Sequence, residues 1–507
     1  MSGETRSIFR EKGFKAVIAA AHEEIQEIYL SDETPWVIGY SGGKDSTAIL
    51  QLCWNAVAGL PAEKRIKPIH VISTDTLVEN PVVALWVNRS LEVMAVAARE
   101  HGIPVVPHRL TPSVTQTFWV NLIGRGYPAP RLKFRWCTER LKIHPANDFI
   151  RQTVQENGEA ILVLGTRTAE SSKRAATMAR HGRKSVRARL TPNASLQNSL
   201  IYTPIESWTN DDVWMYLMQV KNPWGYNNKD LLTMYQGATA DGECPLVVDT
   251  NTPSCGNSRF GCWVCTLVDE DKSMTAMVQN DVEKEWMAPL LEIRNELDFR
   301  SEDARARDQN NRDMRRMTGQ VQYFEDQEGR GRLIKGPYTQ QARAYWLRRL
   351  LETQRLVRER GPEEVREWEL ITLAELEEIR RIWVSEKHEI EDILPKIYFE
   401  ATGEKYPGPR HDEDPVLNGD SLALLREIAG DNEMHYELVR NLLDIEHQYR
   451  NRALRRGLFR DLKHAITRCF YDGEEDALER ARSRAKVGSA ENPDELREMA
   501  ANEGAAL

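Results

Sequence analysis

Six consecutive residues, Ser41-Gly42-Gly43-Lys44-Asp45-Ser46, combine types that suit the handling of phosphates. Glycines let the backbone approach an anion and leave successive N–H groups free to point at it. Lys44 adds a mobile cation, and Ser41 and Ser46 add hydroxyl donors. The run is not a Walker A loop, which needs glycine where Ile38 stands and Ser or Thr where Asp45 stands. A second run, Gly165-Thr166-Arg167-Thr168-Ala169-Glu170-Ser171-Ser172-Lys173-Arg174, carries two arginines whose forks match phosphate oxygens. Asp75, in Ser73-Thr74-Asp75-Thr76, admits two readings: a magnesium or ribose ligand, or a cap for the helix that follows.

Five of the seven cysteines form a third set: Cys137, Cys244, Cys255, Cys262 and Cys265. In a reducing compartment such crowding suggests metal ligation more than disulfides. Cys255-x₆-Cys262-x₂-Cys265 supplies three thiolates on one segment, and Cys137 or Cys244 is the source of a fourth. Zinc ribbons pair two Cys-x₂-Cys units and this chain has one, which favours an iron–sulfur cluster, with zinc as the alternative. Cys53 and Cys469 sit alone on apolar helical patterns and read as small buried hydrophobes.

These residues need a scaffold. Apolar β-branched runs at Trp36–Tyr40, Pro68–Ser73, Pro104–Pro107 and Ala160–Gly165 alternate with helical patterns at Thr47–Val57 and Pro81–His101. That alternation predicts an α/β fold, a parallel sheet with helices on both faces. Ligands bind such sheets beyond the carboxyl ends of the strands, so the loops after Tyr40, Ser73 and Leu164 belong to one site. The run Ser207-Trp208-Thr209-Asn210-Asp211-Asp212 offers several caps for a helix through Val213–Leu217. The expected organisation is an N-terminal helix over 1–32, the α/β domain over 33–240 and a cysteine-rich segment over 241–272. A charged helical region over 273–472 and a disordered tail over 473–507 complete it.

The 68 basic and 77 acidic residues give a net charge of −9, so no global field draws the chain to nucleic acid. Two local basic runs suit a DNA backbone, one with Arg330, Arg332, Lys335, Arg343, Arg348 and Arg349, the other from Arg450 to Lys463. A solvated, salt-bridged helix is the commoner explanation of both. The first thirty residues lack the features of a signal peptide, and no run reaches the eighteen or so apolar residues of a membrane helix. A cytoplasmic location is the expectation.

Ser41 to Ser46 matches the PP-loop signature of ATP pyrophosphatases. The run from Gly165 to Arg174, with Pro204-Ile205, Trp208 and Asp212-Val213-Trp214, is similar to the phosphoadenosine phosphosulfate reductase branch over roughly Glu33 to Leu267. Within that branch, the stretch Ser254 to Cys265 and the long charged C-terminal region resemble the DndC family of the DNA phosphorothioation system. The resemblance implies ATP cleavage to AMP and pyrophosphate, magnesium, an iron–sulfur cluster of 4Fe–4S type, and sulfur replacing a non-bridging oxygen of DNA. It implies as partners DNA, the DndD and DndE subunits, and a cysteine desulfurase (DndA or IscS) as sulfur donor. Nucleotide contacts would come from Ser41 to Ser46, Asp75, Gly165, Arg167, Glu170 and Ser171, with Lys44, Asp45, Arg167 and Arg174 as catalytic groups. Sulfonucleotide reduction is disfavoured because no cysteine follows Cys469, whereas tRNA thiolation would share the loop and the cluster. An ATP- and cluster-regulated scaffold on DNA is the non-enzymatic alternative.

Overall fold

The computed structural model describes residues 7–132, 134–167, 189–238, 260–325, 331–409, 419–430, 432–450 and 454–489. The chain divides into two compact units. One comprises residues 1–118, 130–295 and 360–363, the other 119–129, 296–359 and 364–507.

The first unit is built on a six-stranded sheet. In chain order its strands are β1 (Trp36–Gly39), β2 (Ile69–Thr74), β3 (Val105–Leu110), β4 (Ala160–Val163), β5 (Thr191–Pro192) and β6 (Ser199–Tyr202). Their spatial order is β3-β2-β1-β4-β6-β5, parallel throughout except for the short edge strand β5. Trp36, Val37 and Ile38 are fully buried, because a strand covered on both faces needs apolar side chains in both directions. Helices α1 (Ile8–Lys12) and α2 (Phe14–Leu30) are separated by Gly13 at φ 81, and Ile25 and Tyr29 of α2 enter the core.

Helix α3 (Lys44–Ala58) follows β1 and packs on α2, and α4 (Pro81–Glu100) packs against β3. By length and composition α4 alone among the described helices is apolar enough to cross a membrane, with a hydropathy of 1.3. Its Leu91, Met94, Ala97 and Ala98 are nevertheless buried within this unit. Helix α5 (His144–Asn157) leads to β4. Helix α6 (Asn210–Gln219) takes Thr209 from among the candidate caps and closes a reciprocal capping box with Asp212. Helix α7 (Asn228–Gly237) brings Tyr235 back to the start of α3. Strand β6 escaped the sequence reading, although Ser199-Leu200-Ile201-Tyr202 is a short strand-forming run.

The second unit is mainly helical, with one small hairpin, Tyr323–Glu325 against Gly331–Leu333. Residues 474–489, expected within a disordered tail, instead form a helix. Ala477 and Ala481 seat there with Met314, Leu333 and Tyr471, giving this polar segment the apolar anchor that composition alone does not reveal.

Candidate functional site

The order β3-β2-β1-β4 reverses direction between β1 and β4, and the loops leaving these two strands meet. Gly42 holds φ 73, and a Cβ there would come within 2.4 Å of Val87 Cγ2, so glycine is required on both counts. Gly43 caps α3 without a side-chain hydrogen bond. Ser46 Oγ donates to the Gly43 carbonyl at 3.0 Å and accepts from the Ser41 N–H at 3.2 Å, which fixes the curl of the loop. The Lys44 N–H donates to the Tyr235 hydroxyl at 3.3 Å, whose pKa burial pushes up to about 12.

Asp45 lies between two cations. Its carboxylate is 3.2 Å from Lys44 Nζ and 2.8 Å from Arg167 Nε, and Arg167 is only 4% exposed. Gly165 lies against this turn, since a Cβ there would stand 3.1 Å from the Asp45 carbonyl oxygen. Asp75 pairs with Arg109 from the end of β3 and accepts the Leu77 N–H at 2.8 Å. The cap of α4 falls to Asn80, which accepts from Val82 N–H at 3.0 Å, so Asp75 stays on the pocket wall. A cavity of about 1140 Å³ joins the glycine loop, Asp75, Arg109, Gly165 and Arg167. That is room for a nucleotide beneath a partial cage of cations.

The cysteines approach the same cavity. Residues 260–263 run antiparallel to the turn after β2: Asn80 N–H donates to the Gly261 carbonyl at 3.2 Å, and Trp263 N–H to the Val78 carbonyl at 2.9 Å. Cys262 Sγ lies 3.4 Å from Thr76 Oγ1 and 3.9 Å from Glu79 Oε1. Burial, with Glu79 adding, pushes its thiol up to about 12, and Lys142 opposes this. Cys265 is close enough to both Cys262 and Cys137 that charge on one thiol disfavours charge on the next. Arg294, 2% exposed, ties this segment down by donating to the Cys265 carbonyl at 3.0 Å and the Val268 carbonyl at 2.6 Å.

Glu79 and Lys142 connect the two halves. Both line the cavity, their charged ends are 3.2 Å apart, and both act electrostatically on Cys262. The pKa of Lys142 is raised, first by Cys262 and then by Glu79, although the side chain is half-exposed.

The structure therefore brings together Ser41 to Ser46, Asp75, Gly165 and Arg167 around one pocket, and Cys137, Cys262 and Cys265 near its rim. Glu170, Ser171, Arg174, Cys244 and Cys255 lie outside the described residues, as does most of the basic stretch after Lys173. Among the described residues no three His, Cys, Asp or Glu side chains converge on a single metal-ion position. A cluster distributes its thiolates over several irons, so it does not ask for such convergence. Sequence reasoning missed Glu79, Arg109, Lys142 and Tyr235. Arg109 was within reach of the rule that strand ends face the site, whereas nothing local marks Tyr235.

The basic runs of the second unit part ways. Arg343 is buried and paired with Glu389, Arg349 pairs with Glu296, and Lys335 pairs with Glu474. In the later run Arg460 remains 81% exposed beside Phe459 at 84%.

A family model described as the phosphoadenosine phosphosulfate reductase domain matches residues 35–267. An uncharacterized protein of Methanocaldococcus jannaschii is 26% identical over 200 residues, 39% of this chain. The chain spans 35% of that relative's length. Among solved structures, a phosphoadenylyl-sulfate reductase from Candida auris in complex with phosphate covers 45% of this chain and 93% of its own, at 13% identity and a TM-score of 0.25. An FMN adenylyltransferase from Candida glabrata, with FAD and inorganic pyrophosphate, covers 55% and 76%, at 11% identity and a TM-score of 0.25. Residues 35–267, which hold the glycine loop and the pocket around it, are thus similar to the phosphoadenosine phosphosulfate reductase domain.

Proposed function

We propose that this chain is an ATP-dependent sulfurtransferase subunit of DNA phosphorothioation, cleaving ATP to AMP and pyrophosphate to activate a backbone phosphate. The observation that carries the reading is that the pocket of the glycine loop and the half-buried thiols Cys262 and Cys265 share Glu79 and Lys142 as neighbours.

In this reading a DNA phosphate oxygen attacks the α-phosphate of ATP, and pyrophosphate leaves toward the glycine loop. Lys44 and Arg167 neutralise the charge that develops, and Asp45 holds both cations in place before the nucleotide arrives. Arg174 would add a second guanidinium. Asp45 and Asp75 are the carboxylates of the pocket wall fit to hold magnesium. A phosphodiester is a poor nucleophile, so alignment and exclusion of water must contribute much of the acceleration. A sulfur nucleophile then displaces AMP from the activated DNA phosphate.

Cys137, Cys262 and Cys265, with Cys244 or Cys255, would hold an iron–sulfur cluster, which supplies sulfur-transfer chemistry at the rim of the pocket. The half-buried thiols, with Cys265 near both Cys137 and Cys262, fit such a group, and Lys142 would offset part of its negative charge. DNA would meet the exposed Arg455, Arg456, Arg460 and Lys463, beside which Phe459 offers a face for stacking. DndD, DndE and a cysteine desulfurase are the partners proposed with it.

The test is release of AMP and pyrophosphate from ATP by the chain with its partners and DNA. DNA-dependent release that is lost in Lys44→Ala supports the reading; normal release by Lys44→Ala overturns the role given to that lysine. The family match over residues 35–267 favours one second reading, reduction of an adenylylated sulfate. Sulfite release with a thiol reductant, without any need for DNA, would select it.

A further inference from the structure

The second unit encloses a cavity of its own, of about 1580 Å³, and its walls carry many charges. Nearly all of them are matched. Arg343 holds Glu389, Arg440 holds Glu391 at 3.0 Å, and Arg315 holds both Asp313 and Glu437 at 2.7 Å. Arg468 completes that last group, 3.4 Å from Asp313 and 3.0 Å from Glu437. Glu386 is taken by Arg381 at 2.7 Å, and Asp444 by His388 at 2.6 Å.

Lys387 is the exception. It lines the cavity among Arg343, Arg468, Glu389 and Asp313, yet no described residue makes an ion pair or hydrogen bond with its ammonium group. Every carboxylate near it is already engaged by an arginine or histidine. Burial pushes its pKa down to about 7, and Arg343 adds to this. Lys387 is half-buried, and an ammonium group partly withdrawn from water without a counter-charge leaves attraction that an incoming anion in the cavity would take up.

The backbone around Lys387 is unusual as well. A π-helical turn, Ile382–Glu386, ends at this residue, and His388 follows in the left-handed region at φ 56, held by its contact to Asp444. Such features persist where surrounding structure over-determines them, and they gather at ligand sites.

We propose that this cavity is a second anion site, separate from the nucleotide pocket, in which Lys387 receives the carboxylate or phosphate group of a small molecule. The arginines position the carboxylates around it and so keep the lysine unmatched; Lys387 itself touches the ligand.

The full chain is treated near neutral pH with a limiting amount of an amine-acylating reagent, and acylation at each lysine is read by peptide mass spectrometry. Inorganic phosphate or succinate is titrated in, with chloride at equal ionic strength as reference. Saturable protection of Lys387 is expected, roughly tenfold at a probe concentration about ten times Kd. Lys396, which is 76% exposed, should not change. Protection by phosphate alone assigns a phosphorylated ligand, and protection by succinate alone assigns a carboxylate. Acylation of Lys387 that neither probe slows, or that falls only in step with Lys396, overturns the proposal. The protection must also persist in Lys44→Ala; if it vanishes there, the effect belongs to the nucleotide pocket and the second site is wrong.

Discussion

In the nucleotide pocket two cations, Lys44 and Arg167, share the single carboxylate of Asp45. In the helical unit Arg343 has Glu389 to itself, and Arg315 draws on both Asp313 and Glu437. The contrast separates two uses of buried charge. Cations gathered on a pocket wall present attraction to an incoming phosphate, whereas pairs buried among helices hold those helices together. Breaking one partner of a matched pair leaves an uncompensated charge inside the protein. Removing a cation of the pocket wall costs function before it costs stability.

The largest effect should come from the matched set. Arg343→Ala strands Glu389, whose side chain is 7% exposed, and should destabilise its unit by about 3–5 kcal/mol. Thermal or denaturant unfolding checks this. A variant that unfolds like the parent would show that the pair adds nothing. Lys44→Ala should leave the unfolding midpoint nearly unchanged while pyrophosphate release falls by roughly 10²–10³-fold. A large loss of stability there would erase the distinction between the two regions.

Acid should also tell them apart. Burial disfavours ionisation of Glu437, but Arg315 and Arg468 prevail and hold its pKa down to about 2, against 4.5 for the free side chain. Its contribution to stability, roughly 2–3 kcal/mol, is complete above pH 4.5 and is lost as pH falls from there toward 2. Glu437→Gln should flatten that part of the stability profile, and an unchanged slope would contradict the assignment. The smallest effect belongs to the exposed run: Arg460→Ala should leave unfolding untouched and lower the salt dependence of DNA binding by about one unit of slope. An unaltered slope would remove this run from the proposed DNA contact.

Much of the pocket was legible because its chemistry is local. The glycine loop announces itself in six residues, and strand ends in a parallel sheet point one way, so the loops after β1, β2 and β4 could be assigned together. The sequence also singled out a cysteine segment, of which Cys262 and Cys265 are among the described residues. It left Cys137 and Cys244 equal as further ligands; packing of distant segments sets Cys137 close enough to Cys265 to feel its charge. Tyr235 and Lys142 depend on how distant elements pack, which no spacing encodes. In the helical unit the failure was one of burial. Arg343 and Arg349 lie on a helix, Gln340–Arg360, whose mean hydropathy gives no hint that Arg343 is 2% exposed. The carboxylates that match Arg343 and Arg349, Glu389 and Glu296, are remote in sequence, so a salt-bridged helix could be expected there but its partners could not be named.

The central claim is that the phosphate pocket and the thiols beside it form one sulfur-transferring site. Its most direct test is anaerobic purification of the full chain, followed by a visible spectrum and analysis of iron and acid-labile sulfide. The account predicts a brown protein with about four irons and four sulfides per chain, lost in Cys262→Ser while nucleotide binding remains. A colourless protein carrying about one zinc would contradict it, leaving the cysteines as a structural staple beside an ATP-activating domain.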